Sequence, residues 1–191
     1  MSWATADLLD WRSIQSSFGR NHGDSKPPGS DHRELHGDSI HSTLSACNAR
    51  FSIVIEKSCA DAIACGEDIS ISVPYRLDQA VNCTKTTDEA MYIHPVCLLA
   101  IHLAALTKPG GTWIVLSYSD TRFDCLAGEE GGNDYFRESK KVGAVPDPAL
   151  LWIMVMKQEM VSQVERMDES VHRPKIAHWL YIFRRTDHAV A

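Results

Sequence analysis

Residues 51–63 read FSIVIEKSCADAI, and this stretch decides the fold. Phe51 to Ile55 is a short apolar run with three β-branched residues, the composition of a strand buried in a parallel sheet. Glu56 and Lys57 follow at once. The next segment, SCADAIACGED, is made of small residues and predicts a short helix, with Ser58 as N-cap and Gly66 as its stop.

Outward from this stretch, residues 87–107 predict a helix. Val96, Leu99, Ala100, Leu103 and Leu106 recur at helical spacing. Pro109-Gly110-Gly111 ends that helix, and TWIVLSYS, 112–119, predicts a second buried strand. Helix, glycine turn and apolar strand form one α/β unit. Two more strands follow, at 150–160 and 178–185, with a charged loop over 162–174. With no clear helix between them they predict an antiparallel pair at one sheet edge. Residues 127–148 are polar and glycine-rich and read as a surface loop. Residues 16–48 hold Ser, Gly, Asp, His and a Pro27-Pro28 pair, and read as a flexible insertion with a short helix near Ile40 to Cys47.

Composition narrows the function. The 191 residues are 44% hydrophobic, enough for one packed domain, and carry a net charge of −6. No Lys/Arg-rich stripe marks a nucleic-acid surface. The longest apolar run, Val96 to Leu106, includes His102 and is too short to cross a membrane, which takes about 20 residues. MSWATADLLDW lacks the basic and apolar regions of a signal peptide. Six cysteines without paired spacing fit reduced thiols and a cytoplasmic location. His22, His32, His36 and His41 crowd the insertion near Cys47, but no second Cys and no HExxH pattern completes a metal site, so none is expected.

In order along the chain, four motifs resemble a class I S-adenosylmethionine-dependent methyltransferase, in the subgroup that includes the elongation-factor lysine methyltransferases. FSIVIEKSCADAI resembles its fourth strand, ending in an acidic residue and a lysine. LTKPGGTWIVLSYSD, 106–120, is similar to the turn and fifth strand, and the last two strands resemble the antiparallel sixth and seventh. ADLLDW, 6–11, looks like the end of the third strand. The resemblance spans most of the chain outside 16–48. It implies one partial domain over 1–191, with an incomplete Rossmann-like α/β sheet. The strands are parallel with a C-terminal antiparallel pair, in the order fourth, fifth, seventh, sixth, with helices on both faces. The glycine-rich turn after the first strand, which lets the backbone approach the cofactor, has no counterpart.

The resemblance implies methyl transfer from S-adenosylmethionine, with a protein lysine or a small molecule as acceptor. Asp7 would accept from the adenine amine and Leu8 would offer its backbone N–H; Asp7 reads equally as the cap of a helix starting near Leu8. Glu56, at a strand's C-terminal end, would contact the accepting amine or the cofactor's ammonium, which makes it both the catalytic and a cofactor-binding candidate; it also reads as an ion pair or cap. Ser117, Tyr118 and Ser119 would line the acceptor pocket, or serve as ordinary strand-end residues. Without the glycine turn, weak or absent activity is expected. The alternative is a non-catalytic methyltransferase-like protein that binds a partner chain. An uncovered edge at FSIVI would also favour a homo-oligomer.

Overall fold

The computed structural model describes residues 6–18, 51–72, 75, 77, 90–126, 145–161 and 177–190. Along the chain come α1 (Trp11–Phe18), β1 (Phe51–Lys57), α2 (Cys59–Ile63), β2 (Ile69–Ser72), β3 (Ala90–Ile93), α3 (Pro95–Leu106) and β4 (Thr107–Ser117). A 3-10 turn (Asp124–Leu126), α4 (Pro148–Leu151), β5 (Trp152–Val161) and β6 (Ala177–Arg185) follow.

The main sheet has the order β1-β4-β6-β5. β1 runs parallel to β4, while β6 lies antiparallel to both β4 and β5. This is a mixed α/β architecture with an antiparallel C-terminal pair, in the order expected from sequence. β2 and β3 form a separate antiparallel ribbon that the sequence reading did not anticipate.

The helix expected over 87–107 is shorter, because its first residues, Ala90–Ile93, are strand β3. Pro95 sets the boundary. A residue before proline is pushed out of the helical region, and His94 is extended at φ −61°, ψ 134°. Its Nδ1 accepts the Val96 amide and so caps α3. α3 is apolar all round, which suits only a helix buried on every side; eleven of its residues, Pro95 to Ala104 and Leu106, are buried.

β4 starts at Thr107, directly after the helix, earlier than the expected Thr112. The Pro109-Gly110-Gly111 turn is therefore an irregularity inside the strand, where the register against β1 shifts between Phe51 and Ile53. Gly110 has φ +77°, a conformation costly for other residues. A Cβ on Gly111 would lie 2.6 Å from Thr107 Cγ2 and 2.8 Å from the Lys108 carbonyl oxygen, so only glycine fits there.

β5 likewise begins at Trp152, because Asp147 caps a short turn of helix over Pro148–Leu151 by accepting the Ala149 amide at 3.0 Å. The core lies on one face of the sheet. Trp113, Phe123, Trp152 and Phe183 pack there with ring centroids 5.1–5.4 Å apart. α3 seals this layer. Its Ala100 carbonyl accepts from Trp152 Nε1 at 2.9 Å, and its Ala104 carbonyl accepts from Arg185 Nε at 3.0 Å. The described helices join this layer directly or through α3. Helices on both faces were expected, but among the described residues the opposite face carries exposed apolar side chains instead.

Residues 6–11 do not form a strand end. Leu8 and Leu9 make a turn, and α1 follows from Trp11. Most of the expected insertion, from residue 19 to 48, and the loops at 127–144 and 162–174 lie outside the described residues. The same holds for the histidines at 22, 32, 36 and 41.

Candidate functional site

Glu56 occupies the C-terminal end of β1, where it faces the same side as Val115 of β4. The chain then turns through Ser58, whose φ of 58° is left-handed. That geometry takes the Ser58 hydroxyl away from the expected cap. It makes no capping bond, and Glu56 Oε2 accepts the Ala60 amide at 2.9 Å in its place. Glu56 is thus a cap, one of the roles its position allowed. Its other oxygen, Oε1, is buried and has no hydrogen-bond partner among the described residues. Burial pushes the carboxyl above the ordinary carboxylate range; the Ala60 and Cys59 amides pull against this, and the nearby Asp61 charge adds to it.

Beside Glu56 lies a cavity of about 250 Å3, lined by Leu8, Phe51, Ile53, Val54, Ile55, Glu56, Cys59, Leu99, Leu103 and Leu106. It follows β1, an outer strand of the described sheet, and reaches α3, whose Leu99, Leu103 and Leu106 stand at i, i+4 and i+7 on one helical face. Glu56 is the one charged side chain in the lining.

Leu8 reaches the cavity because His102 holds it. The Leu8 carbonyl can only accept, so His102 Nδ1, 2.7 Å away, carries the proton. Nε2 of the neutral ring then accepts from the Tyr75 hydroxyl. Trp11 packs its ring 5.3 Å from the same imidazole. Burial lowers the His102 pKa, and the Leu8 carbonyl bond only partly offsets this. The reading of 6–11 missed this anchor, because His102 sits inside an apolar helical run. Asp7 is engaged locally. Its Oδ1 accepts the Leu9 amide at 2.9 Å, and its own amide donates to Ser13 Oγ at 2.8 Å. The cap of α1 is Asp10, whose Oδ1 accepts the Arg12 amide at 3.0 Å.

Ser117, Tyr118 and Ser119 form a separate cluster at the end of β4, organised by Asp61. Ser117 Oγ donates to Asp61 Oδ1 at 2.6 Å, and the Tyr118 amide donates to Oδ2 at 2.9 Å. Arg122 Nε donates to Oδ1 at 3.0 Å and forms an ion pair. Burial opposes ionisation of Asp61, but the Ser117, Tyr118 and Arg122 donors outweigh it and hold the carboxyl below its usual range. The Ser119 amide donates to Ser117 Oγ at 3.0 Å, and the Ser119 carbonyl accepts from the Tyr181 hydroxyl at 2.7 Å. Tyr118 is exposed and rests its ring on His178, 4.7 Å between centroids. Asp61 was not singled out in the sequence; its hub role depends on α2 meeting the end of β4.

S-adenosylmethionine needs acceptors for its ribose hydroxyls and adenine amine, and a partner for its ammonium. Glu56 Oε1 meets the last need. Apart from Glu56, the cavity lining is apolar save for the Cys59 thiol, and Asp7 already turns one oxygen to the Leu9 amide. Among the described residues, the donor and acceptor set does not fit the cofactor. No protein-family model, no curated protein and no solved structure matches the chain. Among the described residues no group of His, Cys, Asp and Glu is placed to hold a metal ion, and no helix is long and apolar enough to cross a membrane.

Proposed function

We propose that this chain is a methyltransferase-like protein that acts as a partner-binding subunit and does not transfer methyl groups by itself. The observation that carries this reading is the cavity along β1. Apart from Glu56 and the Cys59 thiol it is apolar, and it is bordered by an outer strand of the sheet. The polar groups at the end of β4 support it as well: Ser117 Oγ and the Tyr118 amide already donate to Asp61.

A second reading is methyl transfer from S-adenosylmethionine to a protein lysine, completed by another polypeptide. It rests on Glu56 Oε1, a buried carboxylate oxygen without a partner beside the cavity, where an amine would find an acceptor. Calorimetric titration of the folded chain with S-adenosylmethionine and S-adenosylhomocysteine tests the first reading. No saturable binding is expected for the chain alone. Saturation at micromolar concentration would overturn the non-catalytic reading, and a loss of that binding in Glu56→Gln would assign it to this cavity.

A further inference from the structure

The strand register places every second residue of the main sheet on a face that no described helix covers. In successive rows across β1, β4, β6 and β5 this face carries Ile53, Thr112, Arg184 and Ile153, then Ile55, Ile114, Ile182 and Met156, then Lys57, Leu116, Leu180 and Gln158. Ile53, Ile55, Ile153, Val155, Met156 and Met160 are between 42% and 73% exposed. Together they expose on the order of 600 Å2, the upper end for a patch on a monomer and near one partner's share of a standard interface.

None of these strand residues is acidic. Two cations, Lys57 and Arg184, are exposed on the face, and among the described residues neither has a carboxylate within ion-pair distance. They sit at opposite corners of the part of this face made by β1, β4 and β6, two strands and four residues apart, which is about 16 Å. A helix about 10 Å wide, laid along the diagonal Ile53–Ile114–Leu180, passes between them. It would have Lys57 on one flank and Arg184 on the other.

We propose that this open face docks an amphipathic helix of another polypeptide, whose apolar stripe is bordered by carboxylates on both sides. The proposal rests on the partner-binding reading and names the partner's chemistry. A second copy of the same face fits less well, because it would bring two more cations and no carboxylate to the contact.

The test uses the full chain and two synthetic peptides of about 18 residues with the same leucine stripe, one flanked by Glu and one by Lys. Titration calorimetry at low salt is expected to show the Glu-flanked peptide binding at least about tenfold more tightly, with the gap closing at about 1 M salt. The double variant K57E/R184E is expected to reverse the preference, and Ile55→Asp to remove binding of both peptides. All three positions are exposed, and circular dichroism checks that the variants fold. Equal affinity for the two peptides, or no binding by the folded wild type, would overturn the proposal. So would a stable dimer in sedimentation that Ile55→Asp dissociates. The wild-type comparison alone decides if a variant does not fold. Cofactor binding in the titration above would sink the non-catalytic reading and leave the peptide preference standing. Loss of the preference without cofactor binding would do the reverse.

Discussion

The two faces of the main sheet are built from the same four strands and differ in what lies over them. On one face Trp113, Val115, Tyr181 and Phe183 are buried to 1% exposure or less beneath α3 and the Phe123 turn. On the other, Ile53 and Ile55 of the outer strand β1 are 58% and 73% exposed, while Ile114, Leu116, Leu180 and Ile182 of β4 and β6 are half-buried. Alternation in a strand normally sorts apolar from polar residues; here both faces of β1 and β4 are apolar, the pattern of a strand meant to be covered on both sides. The difference teaches that FSIVI and TWIVL specify two burial layers, and the described helices supply one.

Paired substitutions give the sharpest test of that contrast. Trp113→Ala is expected to cost about 3–5 kcal/mol in urea unfolding, the usual loss for a fully buried large aromatic side chain. Ile55→Thr, on the open face of the neighbouring strand, should stay within about 0.5 kcal/mol. A cost for Ile55→Thr near that of Trp113→Ala would break the comparison, since it would mean that the open face is covered in the folded chain.

Polar groups on the covered side extend the contrast with a smaller effect. Asp61→Asn removes the ion pair with Arg122 and one of the acceptors shared by Ser117 and Tyr118. A loss of about 2 kcal/mol at pH 7 is expected. The folded Asp61 carboxyl lies below its usual range, so its contribution is full above the unfolded pKa and disappears as the pH falls through the folded value. Urea midpoints between pH 7 and pH 2 should therefore fall more for the wild type than for Asp61→Asn. Parallel curves would show that the cluster carries no pH-dependent stability.

Glu56→Gln should have the smallest effect, and of the opposite sign. The amide oxygen of Gln can still accept from Ala60, while the buried charge and its unpartnered oxygen are gone. Folded Glu56 is raised above its unfolded value, so the penalty for its charge is present at neutral pH and vanishes as acid protonates both states. Thermal melts of the variant should match or slightly exceed wild type at pH 7 and converge with it below pH 4. A clear loss at pH 7 would mean that Oε1 has a partner that matters.

The strands of the main sheet could be read from composition, since runs such as IVI and WIVL are apolar, β-branched and bounded by glycine or charge, whereas the β2–β3 ribbon was not. The sheet order came from the resemblance and agrees with the register. Helix boundaries were legible where a proline or a glycine set them, but the start of α3 at Pro95 was missed because residues 90–93, expected as helix, form β3. Leu8 and Glu56 were both singled out in the sequence and do meet at one cavity. Asp61 and His102 were not, because nothing in their local sequence separates a hub from a surface carboxylate or from a histidine on an apolar helix.

The sequence by itself determined the four strands of the main sheet and, through its unbroken apolar run, the burial of α3. These follow from side-chain branching and periodicity, both of them local. Only the tertiary structure decided that His102 anchors Leu8, that Asp61 fastens β4 to α2, and which sheet face carries the core. Each of these depends on two or more segments distant in sequence meeting at hydrogen-bonding or van der Waals distance, and local physics has no term for that.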